Sequence, residues 1–242
     1  MANNVRSLVD ARNQIQKARI SFENRVGAIE RGTDDPVVIE GEVNPISQKY
    51  FKIFDDLEKN LTGDLEREAA DVPIVKQMVN LNGISFTTAA QLYSMIDISR
   101  CPTISALWRY AGYGCGEDGV IDRIKKGEKS CFNRRLKCLL HVVATNFLRS
   151  KKRSPFRDVY DKAKKKYEKK IENGEWEKKN GWKAHVHMAA MRKMKKIFLA
   201  TLWTRWRELE GLQIRTPYVE EYLKHNHIYK PEDFGWEPIN KH

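Results

Sequence analysis

The stretch VNLNGISFTT, residues 79–88, joins two short segments that have the residue pattern of helices. Gly83 stands between the apolar residues Leu81 and Ile84, and the small residue Ser85 follows. This order is typical of a helix-hairpin-helix element, because glycine readily adopts the backbone conformation of a tight turn. We therefore predict such an element here. The simpler alternative is an αα-corner that only turns the chain, with Leu81 and Ile84 packed inward.

A helix-hairpin-helix element presents free backbone N–H groups at the start of its second helix. The positive end of the helix dipole lies there too, so a phosphate oxygen is a suitable ligand. Such contacts fix a protein on a DNA duplex without reading its sequence. The candidate phosphate-binding residues of the hairpin are Gly83, Ser85, Thr87 and Thr88.

The first thirty residues carry a heptad repeat, which is typical of a coiled coil. One seven-residue series is Val5, Arg12, Arg19 and Val26, and the other is Leu8, Ile15, Phe22 and Ile29. A second amphipathic helix follows a linker at residues 31–45, with Ile46, Tyr50, Ile53, Phe54, Leu57 and Leu61 on one face. We expect residues 1–65 to form coiled-coil helices, intermolecular or as an antiparallel hairpin, that make a homodimer or higher oligomer. The alternative is a long helix packed on its own domain.

The rest of the chain also has helical patterns, so we predict an all-α fold. Asn133–Ser150 and His185–Leu209 are the clearest helices, each with one apolar face. Residues 66–210 are expected to form one domain that contains the hairpin. Residues 211–242 are aromatic and broken by prolines, and we expect this tail to pack on the surface.

The net charge of +12 is unevenly distributed. Residues 123–207 contain 27 lysines and arginines against 7 aspartates and glutamates, whereas the other residues carry a balance of −8. A polyanion such as DNA is the natural partner of so basic a segment, although a solvated lysine-rich surface is the simpler explanation. The predicted cationic track consists of Lys125, Lys126, Arg134, Arg135, Lys151, Lys152, Arg153, Arg192, Lys193 and Lys196.

Several protein classes do not fit this sequence. No apolar run has the roughly 20 residues of a membrane span, and the polar first residues do not resemble a secretory signal. We expect a cytoplasmic, nucleoid-associated protein without a cofactor. The four cysteines form no CxxC pair, so a disulfide framework is not expected. Cys138 and His141 have a spacing found in zinc sites, with His185 and His187 downstream, but both also fit an ordinary helix face, so we expect no metal.

Six stretches, in order, resemble the insertion-sequence recombinases of the "IS-one-ten" type, which include the Piv-like DNA invertases. They are VRSLVDARNQIQKARISFENRV, VNLNGISFTTAAQLYSMI, DISRCPTISALWRYAGY, NRRLKCLLHVVATNF, SPFRDVYDKAKKK and HMAAMRKMKKIFLATL. The resemblance runs from about Val5 to about Arg207. It implies a role in DNA transposition or site-specific recombination, and a structured RNA as a second partner. Trp176, Trp182, Trp203 and Trp206 could stack on RNA bases, or could be core residues.

Two departures from the family limit the expected activity. The resemblance does not include the family's RuvC-like domain with its four metal-binding acidic residues. The family's serine nucleophile lies in a Ser-Gly pair after Tyr-Ala-Gly, where this chain has Cys115-Gly116 or Asp118-Gly119 instead. Cys115 and Asp118 are poor nucleophiles for a phosphodiester, since a recombinase must form a bond to DNA and later release it. We expect a DNA-binding relative without an intact catalytic site. The alternatives are an active subunit that works with a separate RuvC-like partner, and an RNA-binding assembly protein.

Overall fold

The computed structural model describes residues 2–32, 38–39, 42–43, 45–114, 127, 129–214 and 229–239. These residues form eight α-helices, and the predicted all-α class is confirmed. Two short strands, β1 (Val38–Ile39) and β2 (Glu42–Val43), pair antiparallel within the predicted linker. The chain divides into two compact units, Met1–Val72 and Pro73–His242.

The first unit is a pair of antiparallel helices, α1 (Ala2–Glu30) and α2 (Pro45–Ala69). The two arginines of the heptad meet one carboxylate of the facing helix: Arg12 Nη2 lies 2.7 Å from Glu58 Oε1, and Arg19 Nε lies 2.7 Å from Glu58 Oε2. Farther along α1, the Phe22 ring stacks on Tyr50, with ring centroids 5.7 Å apart. The two helices are therefore antiparallel, because later residues of α1 contact earlier residues of α2. The coiled-coil packing expected from the heptad stays a prediction.

The described residues of the second unit form six α-helices, of which the last is the long central one. In chain order they are α3 (Pro73–Val79), α4 (Phe86–Met95), α5 (Ile104–Tyr110), α6 (Arg134–Arg149), α7 (Pro155–Glu172) and α8 (Trp182–Leu209). The predicted boundaries of α6 and α8 agree with the observed ones to within three residues. Half of the 28 residues of α8 are buried, because this helix packs against α3, α5, α6 and α7.

An aromatic cluster forms the centre of this unit. Phe147 of α6 stacks on Phe156 of α7 at 4.7 Å, and Phe198 of α8 meets both rings edge-on at 5.5 Å. Phe234 and Trp236 of the tail complete the cluster and are only 6% and 2% exposed. The described part of the tail, residues 229–239, thus contributes to the hydrophobic core through a 3₁₀ turn at Pro231–Phe234.

The described helices also bear on the membrane question. None of them contains a stretch that is both apolar enough and long enough to cross a bilayer.

Candidate nucleic-acid interface

The turn between α3 and α4 is the predicted hairpin. Leu81 and Ile84 are buried, at 4% and 5% exposure, whereas Ser85 is exposed. Ser85 caps α4: its backbone is extended and its Oγ accepts a hydrogen bond from the Thr88 N–H at 3.3 Å. The Thr88 side chain is buried, and its hydroxyl lies 2.9 Å from Ser85 Oγ. The cap therefore uses the Thr88 hydroxyl internally, and Ser85 and Thr87 are the accessible hydroxyls.

Gly83 is held in this turn by its backbone and by its neighbours. Its φ of +105° lies in a region that residues with a side chain rarely adopt. A Cβ at this position would stand 3.1 Å from Phe147 Cδ1 and 3.3 Å from the carbonyl of Asn146. The turn thus rests directly on the C-terminal part of α6, and a Cβ at residue 83 would fit only if these atoms shifted by a few tenths of an ångström.

The first turn of α4 has backbone donors that can bind an anion. Phe86 and Thr87 lead the helix, and among the described residues neither of their N–H groups has an acceptor. Such groups are normally free at a helix start, where the dipole favours negative charge. The geometry is compatible with a phosphate oxygen at this turn, and whether the turn acts as a helix-hairpin-helix element stays a prediction.

The predicted cations of α6 lie at its two ends. Arg134 and Arg135 are exposed in the first turn, while Lys151 and Lys152 are exposed just beyond the last turn. The helix has 16 residues, so the two pairs are separated by about 24 Å along its axis. Lys151 and Lys152 belong to the same end of α6 as the hairpin.

Arg153 of the predicted track forms ion pairs, and four other sequence-predicted site residues lie outside the described part of the chain. Arg153 is paired with acids of α7, since its Nε lies 2.7 Å from Asp158 Oδ1 and its Nη2 lies 2.9 Å from Asp161 Oδ2. The remaining four, both candidate nucleophiles and two lysines, lie outside the described residues: Cys115, Asp118, Lys125 and Lys126.

The basic residues of α8 point toward different neighbours. Arg192 Nη2 donates to the carbonyl of Tyr113 at 2.8 Å, and the Lys196 ammonium lies 3.9 Å from the Trp108 ring centroid. Burial and the nearby Lys166 charge of α7 lower the pKa of Lys193. Lys195 of the same helix, which is not part of the predicted track, is buried, at 5% exposure.

The largest concentration of exposed cations is on α7, and the candidate site list from the sequence missed it. A cleft of about 460 Å³ is lined by Lys162, Lys165, Lys166, Lys169, Lys170, Asn173 and Glu175. The lysines recur at three- and four-residue spacing in DKAKKKYEKK, which places them on one helix face. Glu175 is the one carboxylate that lines the cleft; its pKa is lowered by Lys170, which donates to it at 2.8 Å, and by Lys166. The spacing could have identified this face.

A second cleft adjoins the lysine cleft and is partly aromatic. It has a volume of about 500 Å³, shares Glu175, and is lined by Trp176, Trp182 and His185 among others. Trp176 stacks on Tyr167 with centroids 4.9 Å apart and an interplanar angle of 13°. Both tryptophans are half-buried.

The other two tryptophans considered as stacking groups have a different environment. Trp203 and Trp206 are core residues at 0% and 3% exposure. Only the pair on the second cleft can therefore contact a base.

The part of the chain that the structure describes does not bring three metal-ligating side chains together. Comparisons of the chain with protein-family models, with curated proteins and with solved structures find no match. The resemblance to the "IS-one-ten" recombinases thus rests on the six sequence stretches alone.

Proposed function

We propose that this chain is a DNA-binding protein related to transposases, acting in or derived from DNA transposition or site-specific recombination, without an intact catalytic site of its own. The observation that carries the proposal is the lysine cleft of α7, where five ammonium groups line one surface with a single carboxylate. Accumulated like charge of this kind costs free energy through self-repulsion, and a phosphate backbone relieves that repulsion.

The form of the lysine cleft suits a nucleic-acid backbone better than a compact anion. Lys162 and Lys170 are eight residues apart on one helix, so the row of ammonium groups extends over about 12 Å. Its lysines also remain mobile, strongly hydrated point charges, which contact phosphates without selecting a base sequence. The α3–α4 hairpin, with Lys151 and Lys152 beyond the end of α6, is a second surface of the same unit that suits phosphate.

The lack of a catalytic site is supported by the sequence of the loop after Tyr113. No serine stands at either position that corresponds to the family's nucleophile, where Cys115 and Asp118 occur. The proposal therefore assigns binding, and not strand cleavage, to this chain.

Binding of a random-sequence DNA duplex to the full chain, measured by fluorescence anisotropy, tests the proposal. We expect saturable binding at low salt that weakens by orders of magnitude as the salt concentration rises fourfold. A chain that shows no duplex binding even at low salt would not be a DNA-binding protein of this kind.

Single-stranded RNA is a second candidate partner, and the aromatic cleft favours it. Trp176 and Trp182 offer ring faces beside the lysines, the combination that single-strand binders use for bases and phosphates. An RNA oligonucleotide should then compete with the duplex and quench tryptophan fluorescence, and Trp182→Leu should weaken the RNA but not the duplex. If Trp182→Leu leaves RNA affinity unchanged, the aromatic cleft is not an RNA site.

We also propose that two copies pair through one face of α2. Four apolar side chains on this face, spaced four, three and four residues apart, are exposed: Ile46 at 55%, Tyr50 at 43%, Ile53 at 46% and Leu57 at 39%. This is the spacing of a helix–helix seam. Lys49 and Lys52 lie toward one end of this seam and Asp55 and Asp56 toward the other, so an antiparallel pair brings opposite charges together.

Sedimentation of the full chain over a range of concentrations tests the pairing. We expect a dimer for the wild type and a monomer for Ile53→Glu. The matched control Ile214→Glu changes a similarly exposed isoleucine of the other unit and should remain dimeric. A monomeric wild type would refute the pairing without affecting the DNA-binding proposal.

A further inference from the structure

Lys195 is a buried ammonium group that no carboxylate of the described residues contacts. Its side chain is 5% exposed, and its Nζ lies 3.2 Å from His141 Nδ1 on α6. In the described ranges of the chain this is its one hydrogen-bond partner. A buried charge without an opposite charge is costly, so the position of Lys195 requires an explanation.

The surroundings of Lys195 add positive charge. The Tyr113 ring is approached by Lys195 Nζ at 5.5 Å, by Arg192 Cζ at 5.7 Å and by Lys137 Nζ at 5.9 Å. Tyr113 itself is buried, and its hydroxyl has no hydrogen-bond partner among the described residues. Three cations therefore surround the ring of a tyrosine whose buried hydroxyl has no described partner, where α6, α8 and the segment after α5 meet.

The protonation of these groups reflects the same crowding. Burial, together with the charges of Lys137 and Arg192, lowers the pKa of Lys195 to about 8. Burial and the Lys195 charge also lower the pKa of His141, so its neutral ring can accept a hydrogen bond from the Lys195 ammonium. Burial raises the pKa of Tyr113, which keeps its hydroxyl protonated and able to donate.

We propose that Lys195, Tyr113, Lys137 and Arg192 form an oxyanion site that binds one phosphate group. Lys195 and the Tyr113 hydroxyl would donate to phosphate oxygens, and Lys137 would supply further charge. Arg192 holds the Tyr113 and Gly114 carbonyls at 2.8 and 3.3 Å, so it fixes the backbone of the site while adding its own charge.

His141 is exposed and Lys137 is half-buried, so the proposed route of a phosphate to the Lys195 ammonium passes these two side chains. A bound dianion would supply a negative charge beside Lys195 and raise the pKa of the lysine back toward its ordinary value. The phosphate could be a phosphodiester of a bound nucleic acid or a free phosphate. The site is built from these contacts alone, so it does not depend on the proposed DNA binding.

Titration calorimetry of the full chain with inorganic phosphate, at constant ionic strength set with chloride, tests the site. We expect one saturable phosphate, with a dissociation constant raised at least about tenfold by Lys195→Met and about fivefold by Tyr113→Phe. The control Lys230→Met removes an exposed lysine of the same unit and should change the constant less than about twofold. Tyr113→Phe removes only a hydroxyl, so it keeps the test valid if Lys195→Met folds poorly.

A second arm uses a short oligonucleotide that has no terminal phosphate. Loss of oligonucleotide affinity in Lys195→Met and Tyr113→Phe, alongside loss of inorganic phosphate, assigns the site to the backbone of a nucleic acid. Loss of inorganic phosphate alone assigns it to a free phosphate. The proposal is overturned if inorganic phosphate shows no saturable binding, or if Lys195→Met and Tyr113→Phe bind it as tightly as the wild type.

Discussion

Gly83 determines, as a single residue, whether the turn between α3 and α4 can form. Its positive φ disfavours any residue with a Cβ, and the ring of Phe147 and the backbone of Asn146 would make tight contacts with one. The two constraints are independent. One is a backbone property that the sequence reveals, and the other depends on the packing of the turn against α6.

Gly83→Ala should destabilise the second unit by about 3 kcal/mol, since it combines a strained backbone with a steric clash. The matched control is Gly174→Ala, which has a φ of +75° but nothing within 4 Å of the added methyl, and should cost only about 1 kcal/mol. Tryptophan fluorescence during urea unfolding measures both, because all six tryptophans lie in residues 73–242. Equal losses in the two variants would show that Phe147 and Asn146 do not constrain Gly83.

The burial of Lys195 makes the stability of the folded state depend on pH in a defined direction. Its folded pKa of about 8 lies below the ordinary value of 10.5, so the unfolded chain holds the lysine proton more tightly. The charges that face it are Lys137 and Arg192, and its other titratable neighbours are His141 and Tyr113. The folded state therefore gains stability from this group as the pH rises from about 8 to 10.5.

Comparison with Lys195→Met isolates that gain, since the other titrations are common to both proteins. Without phosphate, the free energy of unfolding of the wild type should rise by about 3 kcal/mol relative to that of Lys195→Met between pH 8 and pH 10.5. At pH 7 the variant should be the more stable protein. Urea unfolding at several pH values checks this. A stability difference that is constant over the range would mean that the Lys195 ammonium is not destabilised by burial.

At the scale of elements, the α1–α2 pair depends on one carboxylate. Glu58 is 8% exposed and accepts hydrogen bonds from Arg12, Gln16 and Arg19. The heptad places both arginines on the seam, and Glu58 explains how two cations are tolerated there. Its bond to Arg19 also raises the pKa of that guanidinium.

Glu58→Gln should destabilise the first unit by about 2 kcal/mol, because it removes the carboxylate paired with Arg12 and, among the described acids, leaves Arg19 with only Glu23 and the more distant Asp55. The first unit has no tryptophan, so its unfolding is followed by circular dichroism at 222 nm, which detects helices of both units, whereas tryptophan fluorescence detects the second unit only. We expect its transition to move to lower urea while the tryptophan transition stays in place. Glu66→Gln removes an exposed glutamate of the same helix and should have little effect. If both variants behave alike, the Glu58 network does not stabilise the pair.

Many of the helices and their buried faces could be predicted from the sequence, since hydrophobic periodicity and helix caps are local features. The face of α6 with Leu136, Leu140 and Phe147 is buried as the pattern indicates, and Asn133 caps that helix. The candidate site was less predictable. The α7 lysine face was present in the spacing, but the burial of Lys195 arises only when α8 packs against α6 and the segment after α5. No local pattern distinguishes Lys195 from the half-buried Lys193 and Lys196 beside it.

At the scale of the whole molecule, the charge is divided as the proposed function requires. Residues 123–207 carry a balance of +20 and the rest of the chain −8. Within the basic segment, some cations are structural, for example Arg205 and Arg207, which are buried and bound to acids or carbonyls. The lysine face of α7 is the largest concentration of this charge that a phosphate backbone can reach.

The salt dependence of DNA affinity in a variant of the α7 lysine face tests this account most directly. For Lys162→Gln, Lys165→Gln and Lys169→Gln combined, the slope of the logarithm of the association constant against that of the salt concentration should fall in magnitude by about 2 to 3. A control with the same charge change, Lys17→Gln, Lys59→Gln and Lys230→Gln combined, should keep the wild-type slope. An unchanged slope in the first variant, or an equal decrease in both, would contradict the account.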